Sequence, residues 1–261
     1  LQKTSKRKRN KSAQKRRNAR FLITLFLVIA SAFSLVLTPL FDLKYIEIYG
    51  TSHIPNEDII NTSGFVIGEN LFKQDIKRAE AEISQIPYVE SVKIVRYIPS
   101  AIKIYIKEGQ VNMYIPFLEK LLGVNENFKI LDVVAFEERE QKPIVLGITT
   151  TEFVIGEKII IDEQAKFDII KLYEQALKKY NLYDNTTYLD ITDTENVKIV
   201  YNENLNVEFG KSGNIDLVDY KVRYVKKLID DGHIDTTKSG VLTLTGLDGE
   251  NSGSVTYKPS Q

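Results

Sequence analysis

The chain has 261 residues, with 35 basic and 35 acidic side chains and no cysteine. This composition excludes a disulfide framework, a thiolate metal site and a thiol nucleophile. The balanced charge hides a split: ten of the bases and no acid fall in residues 1–20, leaving 25 bases against 35 acids beyond them, a net of −10.

The basic tail, residues 1–20, has nothing apolar to bury except Leu1 and small alanines, so disorder is expected. It reads as a topology signal with some attraction for anionic lipid, not as a nucleic-acid site. Next comes "FLITLFLVIASAF", which resembles a secretory signal ending in Ala30-Ser31-Ala32. The chain continues "FSLVLTPLF", however, and residues 21–41 carry no charge at all. As a helix these 21 residues span about 31 Å, against a hydrocarbon core of roughly 30 Å. A retained transmembrane helix over 21–41 is expected, stopping at Pro39; the rival is a cleaved signal with a mature N-terminus after Ala32. The basic flank belongs on the cytoplasmic side, which puts the C-terminus outside. The sole methionine is Met113, so the sequence is expected to be a fragment or to begin at an unusual start site.

Outside the membrane, "YIEIY" (45–49) alternates as a strand and is broken by Gly50. "PNEDIINTSG" (55–64) runs from a helix-starting Pro55 to a helix-stopping Gly64. "DIKRAEAEISQI" (75–86) has Asp75 as cap and an apolar stripe of Ile76, Ala79, Ile83 and Ile86. "VKIVRYI" (92–98) places Val92, Ile94 and Ile98 on one face, and "AIKIYIK" (101–107) does the same with Ile102, Ile104 and Ile106. The order strand, helix, helix, strand, strand predicts a small α+β domain.

The second region yields strands at 111–115, 128–134, 143–148, 186–191, 196–201, 204–209, 240–245 and 254–258. Two helices interrupt them. Residues 163–180 follow Asp162 and carry Phe167, Ile170, Tyr173 and Leu177. Residues 215–231 follow Asn214, carry Val218, Val222, Val225 and Ile229, and stop at Gly232. No internal repeat is evident.

Catalytic signatures are missing. His53 and His233 stand in turns without a metal-like partner at i+3 or i+4. Glu137-Glu138 and Asp230-Asp231 have no flanking glycosidase pattern and read as solvated surface. Ser212 in "GKSG" lacks the spacer and glycine of a phosphate loop. No catalytic, metal or cofactor site is assigned.

The element order, directly after one membrane helix, resembles an FtsQ-type POTRA domain and the bacterial DivIB/FtsQ cell-division family. "IPYVESVKIVRYIPSAIKIYIKE" (86–108) carries the local likeness through Pro87, Val89, Ser91, Val92, Arg96, Pro99, Ile102, Ile104 and Glu108. It departs at Tyr97-Ile98, where Trp is frequent, and at Gly109-Gln110. The resemblance implies an α+β fold: a POTRA domain (β-α-α-β-β) at 42–109, then a larger mixed α+β domain at 110–258 on an extended, mostly antiparallel sheet, with 259–261 a short tail. It implies a bitopic scaffold of the septum, not an enzyme, which binds FtsL and DivIC (FtsB-like) proteins, with the septal wall synthases as further partners. An extracytoplasmic wall-modifying or glycan-binding protein is the reading from another class.

The last strand carries the candidate site. A terminal strand so short, ahead of Pro259, belongs at a sheet edge with backbone groups unpaired. Ser252, Gly253, Val255 and Tyr257 match in order the family stretch that receives the FtsB-like partner. The resemblance therefore implies partner binding by Ser252, Gly253, Ser254, Val255, Thr256 and Tyr257, supplemented by Lys211. The competing reading is that 254–258 merely closes the sheet or frays.

Overall fold

The computed structural model describes residues 18–31, 34, 36–161, 163–211, 213–244 and 255–259. Residues 18–31 form an exposed helix, α1. Part of the expected span 21–41 (residues 32, 33 and 35) lies outside the described residues, and among the described residues no helix is long and apolar enough to cross a membrane. Helical backbone ends before Leu37, and Pro39–Phe41 is a 3-10 turn with Pro39 at its start. Proline's fixed φ suits that first position.

The described chain divides into two units. The first holds the described residues up to Gln85 together with Val89–Glu108. Its elements are β1 (Tyr45–Tyr49), α2 (Asn56–Ser63), α3 (Ile76–Ile83), β2 (Val89–Tyr97) and β3 (Ala101–Glu108). β3 is the middle strand, parallel to β1 and antiparallel to β2. Period-two alternation buries Ile102, Ile104 and Ile106 on one face, where Ile59, Ala79 and Ile83 from the helices are also buried. Asp75 caps α3 by accepting from Arg78 N–H at 3.1 Å, and Gly64 ends α2 in the left-handed region.

Two details differ from expectation. α3 stops at Ile83, because residues 86–88 join the second unit. Ile98 lies past the end of β2 and is exposed, since β2 starts earlier, with a register shift between Val89 and Ser91. The outer edge of β2 is occupied by a side chain: Glu80 Oε1 accepts the Ile94 N–H at 2.8 Å.

Glu108, at the end of β3, closes the loop after β1. Its carboxylate accepts the backbone N–H groups of Ser52, His53 and Ile54 at 2.9, 3.0 and 3.0 Å and the Ser52 hydroxyl at 2.7 Å. Burial acts to raise its pKa, but these hydrogen bonds together outweigh it and hold the carboxyl down at about 2.

The second unit takes Ile86–Tyr88 and the described chain from Gly109 onward. It comprises β4 (Met113–Phe117), β5 (Lys120–Val124), β6 (Ile130–Val134), β7 (Ile144–Leu146), α4 (Gln164–Lys179), β8 (Thr186–Asp190), β9 (Val197–Tyr201), β10 (Leu205–Gly210), α5 (Ile215–Asp230), β11 (Gly240–Thr243) and β12 (Thr256–Pro259). The strands form one nine-stranded sheet in the order β12-β11-β10-β9-β8-β7-β4-β5-β6. β4–β7, β7–β8 and β10–β11 are parallel and the other five neighbours antiparallel.

One sheet face packs on α4 and α5 around Phe128, Phe167, Tyr173 and Phe209. On the other face Val111, Tyr114, Leu121, Leu131 and Ile144 form a smaller cluster. The strand β5 is an addition to the expected set. Its hairpin turns at Leu118, a non-glycine residue at φ +54°, so no Gly or Asn marks it. Along the outer side of β6, Ile130 exchanges backbone bonds with Gly156 and Glu157 at 2.8 and 2.9 Å, which covers the start of that edge.

Candidate partner-binding edge

β12 is the end strand of the nine-stranded sheet. It pairs antiparallel with β11, Gly240 opposite Pro259, Val241 opposite Lys258, Leu242 opposite Tyr257 and Thr243 opposite Thr256. Among the described residues nothing pairs with its other side, which leaves a row of backbone donors and acceptors facing outward. The strand falls at 256–259, two residues later at its start than its sequence pattern suggests.

Alternation splits the predicted residues between two roles. Val255 and Tyr257 turn toward the helix-covered face and pack on the core, while Thr256 and Lys258 are exposed. Tyr257 lies over Gly240, where an added Cβ would stand 2.7 Å from the ring carbon Cε2 and 3.0 Å from the hydroxyl oxygen. The tyrosine therefore fastens β12 to β11, and only part of its ring is left to meet another chain. Ser252, Gly253 and Ser254 lie outside the described residues.

Lys211 follows β10 at the end of the sheet where Glu208 is aligned with Thr243, and Thr243 with Thr256. β11 thus stands between Lys211 and β12. The ammonium pairs with Glu195 at 3.2 Å, both side chains being well exposed, so the pair is worth little and can reorganise. Its backbone is held far more firmly. Lys221, fully buried on α5, donates from Nζ to the carbonyl oxygens of Phe209 and Lys211, each at 2.8 Å. A buried ammonium needs such acceptors. Lys221 went unnoticed in the sequence, although a lysine set among Val218, Val222 and Val225 at helical spacing signals it. Nothing in the sequence pointed to Gly240.

None of the residues considered for chemistry belongs to β12. His53 sits beside Glu108 in the first unit, and His233 is exposed after α5. Glu137 and Glu138 are exposed in a 3-10 turn, Asp230 pairs with Lys226, and Ser212 lies outside the described residues. No group of three or more His, Cys, Asp or Glu suited to a metal occurs among the described residues.

Comparison with known proteins bears on this arrangement. Residues 41–108, nearly the span from the 3-10 turn to the end of β3, match the family model "POTRA domain, FtsQ-type". The chain is 28% identical to the cell division protein DivIB of Clostridium botulinum (strain Hall) across 90% of this chain and 91% of that one. It is 29% identical to DivIB of Clostridium acetobutylicum across 77% of this chain and 82% of its relative. The chain is similar to the DivIB/FtsQ cell-division proteins. Of solved structures, the major extracytoplasmic domain of the trans isomer of DivIB from Geobacillus stearothermophilus shares 13% identity at a TM-score of 0.29, covering 49% of this chain and 99% of that domain. The POTRA match falls largely in the first unit, and the matched segment contains both Glu108 and the 52–54 loop that it holds.

Proposed function

We propose that the chain is a single-pass membrane scaffold of the bacterial division machinery, which takes up a strand from a DivIC (FtsB-like) protein along β12. The observation that carries this reading is the one-sided pairing of β12 at the end of the sheet. The likeness to DivIB proteins supports the division role. In this reading residues 1–20 are cytoplasmic, 21–41 cross the membrane, and the POTRA domain (42–109) and β domain (110–258) stand outside at the septum. FtsL joins the same assembly, which positions and regulates the septal wall synthases without catalysis by this chain.

Strand addition draws its affinity from main-chain hydrogen bonds and its selectivity from alternate side chains. Thr256 and Lys258 are exposed to read the incoming strand, with Lys211 two strands inward as a charge that can leave Glu195. Tyr257 contributes by keeping β12 in place and by its half-exposed ring. The test is capture of the DivIC-like partner by full-length chain lacking 254–261. Loss of capture with unchanged circular dichroism is expected, and Tyr257→Ala should weaken capture by about 1–3 kcal/mol. Undiminished capture by the truncated chain would move the contact elsewhere.

A further inference from the structure

Most of the exposed apolar side chains of the POTRA unit gather at one end; Tyr49, Tyr105 and Val95 lie elsewhere on the sheet. β1 and β3 run parallel and β2 returns antiparallel, so the starts of β1 and β3 and the end of β2 share one end of the sheet. The connection between α2 and α3 reaches the same end, where Leu43 N–H donates to Glu69 O and Gly68 N–H to Leu43 O, both at 2.8 Å. Here stand Leu40, Val66, Ile67, Phe72, Tyr97 and Ile98, each between 42% and 61% exposed. The opposite end carries the Ser52–His53 loop, the first turn of α2 and the Glu108 carboxylate, with the stacked Tyr49 and Tyr105 rings beside them. Single exposed hydrophobes are ordinary, but six gathered at one end of a small domain mark a contact surface.

This apolar end is also where the uncharged N-terminal stretch enters. Asn70, buried in the connecting loop, donates its Nδ2 to the Val36 carbonyl oxygen at 2.8 Å, and Phe41 packs its ring on Phe72 at 5.6 Å. The chain thus arrives at the domain through the cluster itself. We propose that this end of the POTRA unit docks on the outer surface of the bilayer, with Ile67, Phe72, Tyr97 and Ile98 in the headgroup layer. The inference rests on reading 21–41 as a membrane anchor, and goes beyond it by assigning a lipid contact to the folded domain.

The residue types fit that occupant. Tyrosine and phenylalanine rings favour the boundary between headgroups and acyl chains, and aliphatic side chains gain by leaving water there. Basic side chains are not what holds it: Lys44, Lys73 and Arg96 are balanced in number at this end by Asp42, Glu69 and Asp75, so the surface carries no basic excess. The contact is therefore apolar and should persist in high salt, unlike one made to anionic lipid by a basic patch.

With no cysteine in the chain, a spin label on one introduced cysteine reports a single place. The full chain is reconstituted in nanodiscs of phosphatidylethanolamine and phosphatidylglycerol, labelled in turn at Ile67→Cys, Ile98→Cys, Glu57→Cys and Val28→Cys. Accessibility to lipid-soluble oxygen and to a water-soluble nickel chelate is compared. At 67 and 98 the ratio of oxygen to nickel accessibility should exceed that at 57 several-fold and be unchanged in high salt. Ratios at 67 and 98 equal to that at 57 overturn the docking, whatever Val28 reports. A water-exposed label at 28 instead overturns the anchor, so the two failures are distinguishable.

Discussion

Glu108 shows how one carboxylate can hold a loop that has no regular structure. Three consecutive N–H groups converge on it, and at neutral pH the charge makes each bond stronger than a neutral one. Because its pKa is depressed in the folded unit, its contribution is complete above the unfolded carboxylate value and is lost as pH falls toward about 2. Acid titration followed by amide exchange at residues 52–54 should show this loop opening below about pH 4.5. In Glu108→Gln that step should disappear, and Glu108→Ala should destabilise the unit by about 1–3 kcal/mol through unpaired donors. Retention of the acid step in Glu108→Gln would assign it to another carboxylate. A second position is equally specific: Gly240→Ala puts a methyl group against the Tyr257 ring and should release β12, measured as faster exchange at 256–258. The sequence showed Glu108 only through its family likeness, since its partners lie more than fifty positions away.

Among the elements, α5, the end of β10 and the loop between them behave as one piece because Lys221 bonds to the carbonyls of Phe209 in the strand and Lys211 in the loop. Lys221→Met keeps the length and apolar stem of the side chain but removes its donors. It should quicken exchange at 209–213 and cost about 1–3 kcal/mol, the usual penalty for buried acceptors left unpaired. No change in exchange there would show that packing alone fixes the loop. What was legible at this scale followed period: β1 and β3 alternate cleanly, and α4 and α5 carry full apolar stripes, with α5 capped by Asn214 and stopped at Gly232. β5 was missed because "LLG" is a continuous apolar run beside a turn lacking glycine, so neither its alternation nor its boundary showed. The parallel pairing of β10 and β11 depends on where α5 packs, which no local pattern encodes.

At the scale of the molecule, residues 41–109 expressed alone should unfold cooperatively, since chains near this size bury about 60% of their surface and remain marginally stable. Heat or denaturant melts read by circular dichroism and by tyrosine fluorescence should coincide; a featureless spectrum would mean that the POTRA segment needs the rest of the chain. The fragment parts Tyr88 from the Asp132 carboxylate that accepts its hydroxyl in the second unit, so residues 86–88 should be its loosest part. The candidate edge was readable in the sequence as a short alternating strand before Pro259, but its hold on the sheet through Gly240 was not.

The large sheet has two unlike sides. At β6 the start of the edge is taken by Gly156 and Glu157, leaving too short a run for a lasting ribbon. At β12 the edge is open, among the described residues, along its four positions. A sheet with one receptive side has a valency of one. Edge-to-edge pairing through this sheet does not propagate into a growing ribbon, because that needs two receptive edges. Through this sheet, among the described residues, self-pairing by strand addition would be β12 against β12, a closed two-fold dimer that a partner's strand on β12 would forbid. In the strand-addition proposal, this sheet is therefore either paired with a copy of itself or capped by one partner strand.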